Sequence, residues 1–207
     1  MGLASWWDET IVPRIIRLGC GAEFIGDIRR QLVPLATGNV LELGCGGGLN
    51  QPFYDPAKVT AFTGVDPSPK GLDYARAEAK RIGWDADIRQ GSGEALPFDD
   101  ASFDSVVCTF TLCSVADPAR TLAELRRVLR PGGQFLYAEH GRSPDAKVAK
   151  LQARLDPVWS KVCGNCHLSR EVTPAIDRAG FAASPIHCGY SDRGPRFAGW
   201  MEWGTAV

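Results

Sequence analysis

Val40-Leu41-Glu42-Leu43-Gly44-Cys45-Gly46-Gly47-Gly48 runs an apolar strand into a carboxylate and then into a loop with glycine at alternate positions. A second apolar run, Val59 to Val65, follows and ends on Asp66. Two strands joined this way place a crevice at the carboxyl end of a parallel sheet, where nucleosides bind. Gly44 and Gly46 allow a tight backbone turn and a close ligand approach that a Cβ would block. Asp66 lies about twenty residues after the loop, at the distance where a carboxylate accepts both ribose hydroxyls. A dinucleotide fingerprint needs its third glycine at position 49, which is leucine here.

Outward from that stretch, the chain alternates strands and helices. Ser68 caps a predicted helix with Pro69 in its first turn, its core face is Leu72, Ala75, Ala79 and Ile82, and Gly83 ends it. Asp85 to Gln90 and Phe103 to Phe110 read as strands, the second apolar enough for burial on both faces. Asp117-Pro118 caps the next helix, whose core face is Leu122, Leu125, Val128 and Leu129. Its last turn is expected to carry Arg126, Arg127 and Arg130, cations that oppose the helix dipole. Pro131-Gly132-Gly133 then turns into a strand from Gln134 to Glu139. This alternation with short links specifies a parallel sheet covered by helices on both faces.

The flanks are less regular. Ile11 to Ile28 reads as two short helices, broken at Pro13 and Gly19-Cys20-Gly21, with Trp6 and Trp7 opening the segment as packing residues, a lid over the ligand or a membrane-surface foot. Beyond Gly141 a helix is expected over Lys147 to Val162. A short helix capped by Thr173 follows, and then two closing strands, Phe181 to Tyr190 and Phe197 to Trp203.

The chain has 207 residues and a net charge of -1, which favours one domain and gives no reason to expect nucleic acid as a partner. No apolar run approaches the ~20 residues that cross a bilayer, and no signal peptide is visible. Seven cysteines, several of them in predicted strands or the glycine loop, read as reduced thiols rather than a disulfide framework.

Five segments in order carry a family resemblance: Val40 to Gly48, Gly64 to Ser68, Gly91 to Phe98, Ser102 to Val107 and Leu125 to Gly133. Together they resemble the type 11, ubiquinone-biosynthesis-like branch of class I S-adenosylmethionine-dependent methyltransferases. Glu139 to Arg142, Leu155 to Trp159 and Gly164 to Arg170 further resemble a bacterial subgroup related to the mammalian thiol S-methyltransferases. The resemblance implies an α/β, Rossmann-like fold: a seven-stranded, mostly parallel sheet with helices on both faces and an antiparallel last strand. Within it, residues 1–36 would form a helical lid, 37–140 the cofactor-binding core, and 141–207 a substrate-side segment with the closing strands. No counterpart of the mammalian relatives' hydrophobic N-terminal anchor is expected. The expectation is therefore a cytoplasmic enzyme without an integral membrane segment; its oligomeric state is left open.

The resemblance also implies roles for named residues. S-adenosyl-L-methionine would lie over Gly44, Cys45 and Gly46, with Glu42 orienting the loop or meeting the amino group through water. Asp66 and Pro67 would hold the ribose. Ser92 stands where many relatives carry an adenine-reading aspartate, so adenine contact falls to Ser92, Gly93 and Glu94. Thr109 to Leu112 would lie beside the sulfonium, and Cys113 sits where relatives often carry histidine.

The resemblance implies a small-molecule acceptor with thiol sulfur favoured, and a thiolate needs little help to attack an activated methyl. His140 and His167 are the candidate bases, Arg170 a possible source of positive field, and Cys113 a third candidate catalytic residue. N- or O-methylation of a small amphiphile is the alternative. A nicotinamide oxidoreductase and a non-catalytic nucleoside-binding module are the alternatives of other classes. Cys163-Gly164-Asn165-Cys166-His167 spells a haem-attachment motif but lacks the exported helical context, and a second C-x-x-C for zinc is missing, so no metal is expected.

Overall fold

The computed structural model describes residues 11–207. Trp6 and Trp7 lie outside the described residues. Seven strands form one sheet: β1 (Gly38–Leu43), β2 (Val59–Asp66), β3 (Asp87–Gln90), β4 (Phe103–Thr109), β5 (Leu129–His140), β6 (Ala183–Tyr190) and β7 (Trp200–Ala206). Their order is β3-β2-β1-β4-β5-β7-β6, and the first five run parallel. β7 inserts between β5 and β6, antiparallel to both. The expected seven-stranded sheet with an antiparallel last strand is the one observed.

Alternation along each strand divides the core between two faces. Leu41, Leu43, Val106, Phe135 and Tyr137 pack on one side with Leu122, Leu125 and Val128 of α4 (Pro118–Val128) and Ile176 of α6 (Thr173–Arg178). Val40, Phe62, Val107 and Leu136 pack on the other with Leu32 of α2 (Glu23–Leu32) and with Leu72 and Ala75 of α3 (Pro69–Ile82). Each such buried aliphatic side chain contributes roughly 1.5–3 kcal/mol.

Local signals explain most element ends. The Ser68 hydroxyl accepts the Gly71 N–H, and Gly83 ends α3 in the left-handed conformation at φ 70°. Asp117 accepts the Arg120 N–H to start α4. The N-terminal segment does break after Cys20, but Pro13 sits in the first turn of α1 (Val12–Cys20) instead of interrupting a helix. α5 spans Ala146–Val162.

Several element ends differ from expectation: the closing strand expected over Phe197 to Trp203 is shifted to Trp200–Ala206, behind a short 3₁₀ turn at Arg196–Ala198. α4 stops at Val128, because Leu129 is already extended at ψ 133° and begins β5. Arg130 therefore belongs to the strand, where it pairs with Asp104 at 2.5 Å, and has no place in the last helical turn. The Pro131-Gly132-Gly133 run is an irregularity within β5: Phe103 pairs with Leu129, and the next pair is Ser105 with Gln134. Thr173 does not cap α6 either; its hydroxyl and N–H both bond Glu202 of β7, and Val172 holds the cap position without a side-chain bond.

Candidate active site

The loops after β1, β2 and β4 meet at the carboxyl end of the sheet and enclose a cavity of about 460 Å³. Gly44 turns the chain at φ 73°, and its N–H donates to the Val65 carbonyl at 2.8 Å. A Cβ on Gly44 would lie 1.9 Å from Thr111 Oγ1, so the loops after β1 and β4 touch at a point where only glycine fits. On Gly46, at φ 37°, a Cβ would point toward Asp66 Oδ2 at 3.5 Å.

Asp66 ends β2 with both carboxylate oxygens engaged. Oδ2 accepts the Gly46 N–H at 3.0 Å and Oδ1 accepts the Ser68 N–H at 2.8 Å. Asp66 lines the cavity, and each carboxylate oxygen can accept a second hydrogen bond. Burial pushes this carboxyl above its usual range, against the pull of the Ser68 and Gly46 amides. Hydroxyl donors from a ligand would satisfy the remaining sites and favour the carboxylate.

Glu42 sits at the floor of the cavity inside a polar network. Tyr54 Oη donates to its Oε2 at 2.8 Å and Asn50 Nδ2 to its Oε1 at 3.1 Å. Asn50 is gripped by Arg29 Nε at 2.7 Å and also donates to Thr109 Oγ1 at 2.9 Å. Arg29 is itself buried and donates from Nη1 to the Cys20 carbonyl at 2.6 Å. Burial pushes Glu42 up to about 8; the Tyr54 hydroxyl, Arg29 and Asn50 pull the other way. Glu42 thus ties together Asn50 and Tyr54, which follow the glycine loop in sequence. The network members Arg29, Asn50 and Tyr54 carried no signal of their own, because the partners are up to 59 residues apart in sequence.

Of the residues expected to meet the cofactor, Glu42, Gly44, Cys45, Gly46, Asp66, Pro67, Ser92, Gly93, Glu94 and Thr109 all line this cavity. Leu112 does not. Phe110 adopts φ 53°, and the chain beyond it turns Leu112 and Cys113 into a second cavity of about 750 Å³ that His140 also lines. Glu139, fully buried at the end of β5, fixes this turn. Its Oε1 accepts the Thr111 and Leu112 N–H groups at 2.7 and 2.8 Å, and its Oε2 accepts that of Cys113 at 3.3 Å. His167 borders neither cavity. Its Nδ1 bonds Asp156 at 2.7 Å and its Nε2 faces Asn165 Oδ1 at 3.3 Å, so the ring braces the loop before α6 and presents no free nitrogen. Arg170 donates to the Leu112 carbonyl at 2.5 Å. The three candidate catalytic residues are therefore not gathered at the glycine loop.

Other lining residues come from segments with no motif. Val12, Ile16 and Arg17 of α1 lie along the cavity, with Arg17 stacked 4.4 Å over the Tyr74 ring. Ser114 to Ala116 and Asn165 close the opposite wall, where Asn165 Nδ2 donates to the Ser114 carbonyl at 2.7 Å.

A family model described as a methyltransferase domain matches residues 41–137. Over 209 residues the chain is 30% identical to the ubiquinone biosynthesis O-methyltransferase of Ruegeria pomeroyi, covering 88% of this chain and 83% of the relative. The chain belongs to the class I S-adenosylmethionine-dependent methyltransferases. The chain is also 40% identical over 148 residues to the thiol S-methyltransferase TMT1B of Rattus norvegicus, across 69% of its own length and 59% of that relative's, so it spans less than two thirds of that protein. Among solved structures, a putative methyltransferase of Bacillus halodurans C-125 superposes with a TM-score of 0.67 at 25% identity, over 80% of this chain and 74% of the other.

The cavity fits the family's donor, S-adenosylmethionine. A Cβ on Gly46 would meet nothing nearer than Asp66 Oδ2 at 3.5 Å, so glycine there leaves room beside the Asp66 carboxylate, and the cavity of about 460 Å³ falls within the ~300–1,000 Å³ of small-molecule sites. No helix among the described residues is long and apolar enough to cross a membrane.

Proposed function

We propose that the chain transfers a methyl group from S-adenosylmethionine to a small thiol. The observation that carries the donor half is Asp66, which lines the cavity beside the bare Gly44–Gly46 bend and whose carboxylate oxygens can each accept a second hydrogen bond. When bound there, the donor supplies a methyl group already activated on a sulfonium. Gly44 and Gly46 would pass under it, Asp66 would accept the ribose hydroxyls, and Ser92, Gly93 and Glu94 would border the base. Arg29 reaches the cavity wall, and its Nη2 makes no hydrogen bond among the described residues, which suits it to the carboxylate of the methionine part.

The thiol half rests on the 40% identity to a protein named a thiol S-methyltransferase and on the character of the outer wall. Val12 and Ile16 offer apolar contact to an acceptor, and Arg17 offers positive charge that favours a thiolate. The attacking sulfur is the thiolate, so the residues of this wall need only orient it and keep water away while the thiol proton passes to solvent. With His140 and Cys113 in the second cavity and His167 engaged, no imidazole is assigned to remove that proton.

The test is incubation of the protein with methyl-labelled S-adenosylmethionine and separate panels of thiols, amines and phenols. The proposal predicts labelled thioether from the thiols. Label appearing only on amines or phenols overturns the thiol assignment. A protein that also fails to bind S-adenosylhomocysteine overturns the donor assignment.

A further inference from the structure

Cys113, His140 and Cys166 come from three separate segments, yet one ligand atom from each lies within 4.8 Å of the other two. His140 Nε2 is 3.1 Å from Cys166 Sγ. The donor function does not use this cluster: Cys113 and His140 line the second cavity, and Cys166 lines neither cavity. Tetrahedral zinc, with bonds of about 2.3 Å to sulfur and about 2.0–2.1 Å to nitrogen, has ligand edges of about 3.5–3.8 Å. His140 Nε2 and Cys166 Sγ stand 3.1 Å apart, and Cys113 Sγ lies within 4.8 Å of both, so small side-chain shifts reach those edges. We propose that Cys113, Cys166 and His140 form a three-ligand site for a soft divalent ion, zinc, with its fourth position open toward the second cavity.

The surroundings of the cluster favour a built site over a chance approach. Cys113 is held by its N–H to Glu139 and by its carbonyl, which accepts the His167 N–H at 2.8 Å. Cys166 Sγ accepts a hydrogen bond from Trp159 Nε1 at 3.4 Å, the kind of outer contact that steadies a metal-bound thiolate. Two sulfurs and an imidazole are a donor set that selects zinc over calcium or magnesium. The bound ion would carry two thiolates, whose protons leave to solvent on binding. Glu139 and Arg170, of opposite charge, flank the cluster. Two of the three ligands face a cavity, which leaves a coordination position for water or for an exogenous donor such as a thiolate. Cys163, the other cysteine of the C-x-x-C-H run, is outside the group. The sequence motif and the structural site are thus different sets of residues.

Cobalt(II) reports such a site without reference to methyl transfer. Reduced, metal-free full-length protein titrated with cobalt(II) is expected to bind one ion per chain, with a thiolate-to-cobalt charge-transfer band and visible bands of tetrahedral strength, and zinc should displace it. Cys166→Ser should remove the charge-transfer band or cut it sharply, whereas Cys163→Ser should leave it intact. Trp159→Phe should weaken cobalt binding by about 10-fold or more while the protein stays folded by circular dichroism. Because the wild-type titration needs no variant, a fold defect in Cys166→Ser leaves the test standing. The proposal is overturned if reduced wild-type protein shows no thiolate-to-cobalt band. It is equally overturned if the band persists in Cys166→Ser and disappears in Cys163→Ser.

Discussion

Glu139 Oε1 accepts the Thr111 backbone N–H at 2.7 Å, tying the end of β5 to the loop that touches Gly44. One buried carboxylate at the end of β5 therefore sets the shape of a cofactor cavity that it does not line. Removing it as Glu139→Ala leaves three N–H groups, of Thr111, Leu112 and Cys113, without their acceptor. The expected cost is about 2–4 kcal/mol of stability, read by denaturant unfolding, together with weaker binding of S-adenosylhomocysteine. Glu139→Gln keeps one acceptor oxygen and should lose less. Unchanged stability in both variants would remove Glu139 from this role.

Gly44→Ala should be damaging for two separable reasons. The position is held at φ 73°, and the added Cβ would meet Thr111 Oγ1 at 1.9 Å. Strain alone costs about 1–3 kcal/mol. The double variant Gly44→Ala, Thr111→Gly relieves the collision and leaves the strain, so it should recover part of the lost melting temperature and no more. Full recovery would mean that the backbone conformation is not constrained.

Asp66→Ala should weaken S-adenosylhomocysteine binding by roughly 1.5–3 kcal/mol, or about 10- to 150-fold, the cost of losing hydrogen bonds to a charged group. Calorimetric titration checks it. Because Asp66 also accepts the Gly46 and Ser68 N–H groups, the fold is followed in parallel by circular dichroism. A dissociation constant equal to wild type removes the ribose assignment.

Glu42 predicts a pH dependence of stability. Its folded pKa, pushed up to about 8, stands above the ~4.3 of an unfolded chain, so the folded state holds the proton more tightly. The resulting stability is fully present below pH ~4.3, declines as pH rises across that window and is lost above about 8. Glu42→Gln cannot ionise. The difference in unfolding free energy between wild type and Glu42→Gln should therefore shift against wild type by a few kcal/mol between pH 5 and pH 8. A difference that is flat across that range, or that runs the other way, contradicts this account of the network.

The parts of the site that the sequence made legible are those built from neighbours. The strand, glycine bend and second strand around Gly44 and Asp66, the Ser68 cap with Pro69 and the Gly83 stop are all set within a few residues, so local rules reach them. What escaped depends on contacts between distant segments. Arg29, Asn50 and Tyr54 read as ordinary polar residues until the fold brings them around Glu42. Leu112 looked like a neighbour of Thr109 on one strand end, but Phe110 between them takes a positive φ and Leu112 lines the second cavity. Thr173 carried a cap signature at its own position, and Glu202 on β7 offered its hydroxyl and N–H a stronger, charged acceptor. The pairing of Cys166 with Cys113 and His140, in place of Cys163, is likewise a product of tertiary structure.

The most direct measurement is a crystal structure of the full chain with S-adenosylhomocysteine. The account predicts the nucleoside lying over Gly44 to Gly46, with both ribose hydroxyls within hydrogen-bond distance of the Asp66 carboxylate. A nucleoside bound in the second cavity, or one in the first whose ribose makes no contact with Asp66, would contradict it.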